Sequence, residues 1–83
     1  MVSFADKLRI YEEEFDEIEK QMEIEGATKQ TSRRMLIFTE AFMFTIIQTK
    51  KEEVDDEARK ILKRLREKAG RHRHIDIKRL LGE

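Results

Sequence analysis

A 13-residue apolar segment from Met35 to Ile47, MLIFTEAFMFTII, limits the folds available to this chain. On a helix with 3.6 residues per turn, its large side chains point in every direction around the axis. A helix that is apolar on all sides has to be covered from several directions. We therefore expect the remaining elements to pack around this segment.

Two other interpretations of the segment are less favoured. Its β-branched and aromatic residues also suit a buried strand, but nothing else in the chain has the pattern of a pairing strand. A membrane span needs roughly 20 apolar residues, and this segment is shorter and contains Glu40. The first residues, MVSFADKLRIY, lack the basic and apolar regions of a secretory signal. We therefore expect a soluble, intracellular protein of the cytoplasm.

Composition favours a single all-α domain. The 83 residues include no proline, no cysteine and only three glycines, at positions 26, 70 and 82. No linker or internal repeat is apparent, so we predict one helical domain over residues 1–83. The absence of cysteine excludes disulfides and thiolate metal sites. A chain of this size buries only roughly 60% of the surface that its unfolded form exposes, so a partner would add stability.

The first helix is predicted over about residues 4–25. Ser3 is a suitable N-cap, with Asp6 three residues later, and Gly26 suits the position after the last turn. Its apolar residues alternate in steps of four and three, which is typical of a coiled-coil-like seam rather than a broad face. The seam consists of Phe4, Leu8, Tyr11, Phe15, Ile18 and Met22. The rest of this helix is strongly acidic.

Three further helices are predicted after the first. The second covers about residues 32–50, with Thr28 or Thr31 as its N-cap. The third covers about residues 53–69 and ends at Gly70. Its apolar face comprises Val54, Ala58, Ile61, Leu62, Leu65 and Ala69. A short helix over about residues 76–81 is indicated by Asp76 as N-cap and by Ile75, which can pack on Leu80.

The boundary between the second and third helices is open. Without an intervening glycine or proline, they could form one rod of nearly 40 residues. Thr49 followed by Glu52 is instead typical of a helix start. We favour a break near residues 50–55.

The apolar excess of the second helix predicts a homodimer. The seam of the first helix and the modest face of the third would leave part of it exposed, and such patches usually mark an interface. The predicted architecture is a three-helix protomer, with a short C-terminal helix, that forms a dimeric helical bundle. The expected core and dimer-interface residues are Met35, Ile37, Phe38, Phe42, Phe44 and Ile46. The alternative is a monomer that buries the patch against a different protein.

Charge is distributed unevenly along the chain. Residues 1–27 contain nine acids and three bases, whereas residues 58–81 contain ten bases and two acids. A basic stripe of this kind can neutralise phosphates, so sequence-independent nucleic-acid binding is a candidate function. The candidate contacts are Arg59, Lys60, Lys63, Arg64, Arg66, Arg71 and Arg73. The segment lacks aromatic residues for stacking on bases, and a solvated face or a face paired with the acidic first helix explains the stripe equally well.

Catalytic and metal-binding patterns are weak. Glu40 lies among apolar residues but has no identifiable acid, base or metal partner, and we expect it to lie at the edge of the packed surface or to pair with Arg33. His72 and His74 are flanked by bases and lack the further ligands of a metal site. We therefore predict no enzyme, no metal or other cofactor, no small-molecule substrate and no membrane binding.

Together these patterns favour a non-enzymatic helical-bundle adaptor or regulator. It would act as a homodimer that presents acidic and basic faces to a macromolecular protein partner. Nucleic-acid binding by the basic C-terminal segment is the alternative.

Overall fold

The computed structural model describes residues 2–68 and 78–82, and every regular element within them is helical. The helices are α1 (Phe4–Glu25), α2 (Lys29–Gln48), α3 (Asp56–Lys68) and α4 (Lys78–Leu81), with a 3₁₀ turn at Lys51–Glu53. The prediction of an all-α chain with three main helices is confirmed, and Met35 to Ile47 is helical rather than a strand.

Local capping explains both ends of α1. The Ser3 hydroxyl accepts a hydrogen bond from the backbone N–H of Asp6 at 3.1 Å, as expected for an N-cap. At the other end, Gly26 has a φ of 77°, and its N–H donates to the carbonyl of Met22 at 2.8 Å. This left-handed conformation favours glycine. The helix therefore covers the residues expected from the sequence.

A reciprocal pair of threonines starts α2 earlier than the predicted residue 32. The N–H of Thr31 donates to the Thr28 hydroxyl at 3.1 Å, and the N–H of Thr28 donates to the Thr31 hydroxyl at 2.9 Å. Thr31 is completely buried. Because each threonine satisfies a backbone donor of the other, the helix begins at Lys29.

The predicted break between the second and third helices is confirmed. Thr49 does not start a helix, as its spacing to Glu52 suggested, but ends α2, where its hydroxyl donates to the carbonyl of Thr45 at 2.7 Å. The chain then forms the 3₁₀ turn. The carboxylate of Asp55 accepts from the N–H of Ala58 at 2.8 Å and so caps α3.

The helix α1 lies between α2 and α3. It runs antiparallel to α2, since Tyr11 lies beside Thr45 while Glu14 lies beside Arg34. It runs parallel to α3, where a contact between Arg9 and Glu57 is followed by one between Glu12 and Arg64. The chain is therefore packed around α1, not around Met35 to Ile47 as expected, because the neighbours of α2 cover only part of its circumference.

The core lies where the seam of α1 meets the other helices. Its buried apolar residues are Ala5, Leu8, Phe15, Ile18, Met35, Phe38, Phe42, Ile46, Ala58, Ile61, Leu62, Leu65, Leu80 and Leu81. The ring of Tyr11 packs edge-on against those of Phe42 and Phe38, with centroids 5.2 and 5.9 Å away.

The short helix α4 closes one end of this core. Leu80 and Leu81 are buried, and the guanidinium of Arg59 donates to the carbonyl of Leu81 at 2.8 Å. The predicted N-cap Asp76 and the packing residue Ile75 lie outside the described residues, as do Ala69 and Gly70.

Candidate interaction surface

The helix α2 has two apolar faces that differ in burial. Met35, Phe38, Phe42 and Ile46 form the inner face, and each exposes at most 7% of its surface. On the opposite side Leu36, Ile37, Phe44 and Ile47 expose 59 to 66%. These four residues and Glu40, which is also exposed, are called the outer face.

Helical geometry makes the outer face a continuous stripe. Its residues follow one another in steps of one, three, four and three positions, so they stay on one side of the helix. From Leu36 to Ile47 the stripe is about 16 Å long, at a rise of 1.5 Å per residue. Exposed apolar residues that occur singly are ordinary, whereas a contiguous group of this kind is typical of an interaction site.

Charged residues interrupt and extend this stripe. Lys29 and Arg33 lie on the same side as the outer face, about two turns and one turn before Leu36, and both are exposed. Within the described residues, none of Lys29, Arg33 and Glu40 forms a hydrogen bond or an ion pair through its side chain. The expected pair between Glu40 and Arg33 is not formed within the chain, because their separation of seven positions corresponds to about 10 Å along the helix.

The residues predicted for the core and dimer interface divide between the two faces of α2. Met35, Phe38, Phe42 and Ile46 lie in the protomer core. Ile37 and Phe44 lie on the outer face. Leu36 and Ile47, which complete that face, are not among the residues predicted for the interface. To predict them, one must know which side of α2 is covered by α1. The apolar residues of α2 are spread around the whole helix, so their pattern does not identify that side.

Contacts of Arg34 hold one side of α2 against α1. The Arg34 guanidinium donates to Gln21 at 2.6 Å and to Glu14 at 3.1 Å, and it lies 3.4 Å from Glu17. These contacts join α2 to the acidic side of α1. The role of Arg34 is not predictable from the sequence, because its partners are in another helix and no local spacing relates them.

A shallow groove lies beside Arg34 at the same end of the molecule. It has a volume of about 360 Å³ and is lined by Glu17, Lys20, Gln21, Ile24, Glu25 and Arg34. Arg34 is committed to the contacts with α1, and Gln21 also donates to Glu25 at 3.0 Å. The polar groups of the groove are therefore used largely in structural contacts.

Part of the basic segment is paired with α1. Arg64 forms two parallel hydrogen bonds to the carboxylate of Glu12, both 3.0 Å long. Lys68 lies 3.1 Å from Glu12 and 3.0 Å from Asp16. Hydrogen bonding from Arg64 holds the pKa of Glu12 below its usual value, and the same bond raises the pKa of Arg64.

The other predicted nucleic-acid contacts differ in exposure and in their partners. The guanidinium of Arg59 donates to the carbonyl of Leu81, while Lys60 and Lys63 are exposed on α3. Arg66 is half-buried. Arg71 and Arg73 lie outside the described residues. The sequence left open whether the basic stripe is solvated or paired with the acidic first helix, and Arg64 is paired with that helix through Glu12.

Among residues 2–68 and 78–82, no three histidine, aspartate or glutamate side chains cluster in a way that could hold a metal ion. His72 and His74 lie outside these ranges. None of the described helices combines the length and apolar character required to cross a membrane.

Comparisons with known proteins add no relative to this picture: no protein-family model, no curated protein and no solved structure matches the chain.

Proposed function

We propose that this protein is a non-enzymatic interaction protein that forms a homodimer through the outer face of α2. The observation that carries the proposal is the row of exposed Leu36, Ile37, Phe44 and Ile47 opposite a well-packed core. Burying a large apolar side chain completely gains roughly 1.5–3 kcal/mol, so leaving four of them in water without a partner is unfavourable. In the dimer, α2 lies at the centre and α1 and α3 lie outside.

A second copy is the proposed occupant because the outer face carries complementary groups within itself. Two-fold pairing brings the same patch of each copy together. That patch contains bases at Lys29 and Arg33, an acid at Glu40 and apolar residues between and beyond them. One copy can therefore supply both the apolar surface and the opposite charges that the other requires.

The charged faces of the bundle would serve further partners. On the dimer, the acidic outer surface of α1 and the exposed Lys60 and Lys63 of α3 would each be present twice. This arrangement supports an adaptor or regulatory role, in which the apolar contact holds the dimer together and the charged faces bind another macromolecule.

The dimer is tested by measuring molar mass with light scattering over a range of protein concentrations. We expect twice the 10.0 kDa chain mass at high concentration and a single chain mass for Phe44→Glu. The control is Val2→Glu, since Val2 is an exposed apolar residue outside the outer face, and this variant should still dimerise. A wild-type protein that stays monomeric at about 100 µM, well above a typical micromolar Kd, would contradict the proposal.

Nucleic-acid binding by the basic segment is the alternative function. The observation favouring it is the exposure of Lys60 and Lys63, while Arg64 is engaged with Glu12. It is tested by a mobility shift with duplex DNA at two salt concentrations. A phosphate-binding surface should lose affinity at higher salt and in a Lys60→Glu, Lys63→Glu variant. Lys7→Glu on α1 is the control, and binding that all variants share would contradict the role of α3.

A further inference from the structure

We infer that the two copies pair through α2 in an antiparallel orientation, with the two-fold axis passing between Leu36 and Ile37, so that Arg33 of each copy faces Glu40 of the other. This inference rests on the proposed homodimer and specifies its geometry. Arg33 and Glu40 become the residues that determine the orientation of the pair.

Six residues on the outer side of α2 form pairs about that axis, whereas Ile47 would lie opposite residue 26, before the start of α2, and so at the edge of the interface. Arg33 and Glu40 lie equally far from the midpoint between Leu36 and Ile37, on opposite sides of it. Lys29 and Phe44 form a second such pair at a greater distance. Because antiparallel helices place residues equidistant from the axis opposite each other, each of these pairs would meet across the interface.

Each meeting is favourable. Leu36 would pack against Ile37 of the second copy at the centre, and the axis repeats this contact. Arg33 and Glu40 have no side-chain partner within the described part of their own chain, so both are available for an ion pair. The stem of Lys29 would cover the exposed ring of Phe44, and its ammonium would lie near the ring face.

A parallel orientation is electrostatically unfavourable. In a parallel pair without stagger, every residue faces its own copy. Arg33 would face Arg33, Glu40 would face Glu40 and Lys29 would face Lys29. Like charges opposed in this way weaken an interface and disfavour that orientation.

An antiparallel pair centred on the apolar residues is also disfavoured. The midpoint of Leu36 and Ile47 lies between residues 41 and 42, and this register would pack Leu36 against Ile47 of the second copy. It would also place Arg33 opposite the exposed Lys50. The two Glu40 residues would be only about 4–5 Å apart along the axis, at 1.5 Å per residue. Of the three arrangements, only the offset antiparallel one opposes unlike charges.

Charge exchange tests the proposed contact. Arg33→Glu alone and Glu40→Arg alone each place like charges opposite one another at two symmetric positions, and we expect either to raise the dimer Kd by roughly tenfold or more. The double variant, Arg33→Glu with Glu40→Arg, restores unlike pairs. Its Kd should return to within about threefold of the wild type. Sedimentation measures the Kd, and circular dichroism checks that each variant is folded.

Single cysteines test the orientation independently, since the chain has no cysteine of its own. In the proposed register, Ile37→Cys places two thiols beside the axis, about 1.5 Å apart along it, and should form a disulfide-linked dimer on oxidation. The two thiols of Ile47→Cys would be about 31 Å apart along the axis and should not link. A parallel pair would link both variants, and the apolar-centred register would link neither.

The outcomes separate this inference from the proposed function. A monomeric wild-type protein would overturn the homodimer and this geometry with it. If the wild type dimerises but Ile47→Cys links, or Ile37→Cys does not, the homodimer stands and the offset antiparallel geometry is wrong. Failure of the double charge variant to recover affinity would likewise overturn the contact between Arg33 and Glu40.

Discussion

The two apolar faces of α2 have similar residues in different environments. The inner face, with Phe38 and Phe42, contacts the aromatic and aliphatic seam of α1, whereas the outer face, with Phe44, contacts solvent in the single chain. The difference arises from the position of α1, whose side chains Tyr11 and Glu14 contact one side of α2 only. Apolar composition therefore predicts that a surface will be buried, but not by which partner.

Removing the Phe42 ring should have the largest effect on folding. Its side chain is 1% exposed and packs on Tyr11 and Phe38, with ring centroids 5.2 and 5.8 Å away. We expect Phe42→Ala to reduce the free energy of unfolding by roughly 3–5 kcal/mol, because it leaves a cavity. Urea denaturation followed by circular dichroism measures this loss. A loss below about 1 kcal/mol would contradict the assignment of the inner face to the protomer core.

A smaller loss is expected at Thr31, in the turn where α2 begins. Thr31 is buried and exchanges hydrogen bonds with Thr28. Thr31→Val keeps the shape but removes the hydroxyl, and should cost roughly 1–2 kcal/mol of unfolding free energy. The matched control is Ser32→Ala, because Ser32 is exposed at the next position. Equal effects of the two substitutions would contradict the capping role.

The ion pairs on the other side of α1 predict a pH dependence. Hydrogen bonding from Arg64 lowers the pKa of Glu12 in the folded state. Its stabilising contribution is therefore present above the unfolded pKa of about 4.3 and is lost as the pH falls through the lower folded pKa. Glu12→Gln should reduce the unfolding free energy by about 0.5–1 kcal/mol near pH 7, since Arg64 is half-exposed. Denaturation at pH 7 and near pH 2 should show the difference between wild type and variant disappearing in acid.

The smallest effect on folding is expected at the outer face. Phe44→Ala removes the same ring as Phe42→Ala, but from a side chain that is 62% exposed. At concentrations where the chain is monomeric, its unfolding free energy should change by less than about 0.5 kcal/mol. At higher concentrations the same variant should weaken self-association. A large loss of monomer stability would show that the two faces of α2 are not as distinct as their burial indicates.

Sequence alone predicted the features that depend on neighbouring residues. Ser3 and Gly26 determine the ends of α1 through contacts within three or four positions. The break after α2 was also predicted, although the role of Thr49 was not, since a threonine near a helix end can cap either the preceding or the following helix.

Features that depend on contacts between helices were harder to predict from the sequence. The uncovered side of α2 depends on Arg34 and on the direction of α1, and the choice of α1 as the central helix depends on both of its neighbours. Pairing of Arg64 and Lys68 with Glu12 requires α1 and α3 to be parallel, with the turn that carries Glu12 beside the turn that carries the two bases. The charge pattern allowed that pairing but could not distinguish it from a solvated basic face.

The position of α4 has a consequence for synthesis of the protein. Leu80 and Leu81 are buried against elements translated before them, so the core cannot close until these residues have left the ribosome. A chain that stops before position 80 would contain α1, α2 and α3 yet lack the part of the core that Leu80 and Leu81 supply. Such a product would expose apolar core surface and would be a ready target for chaperones and proteases.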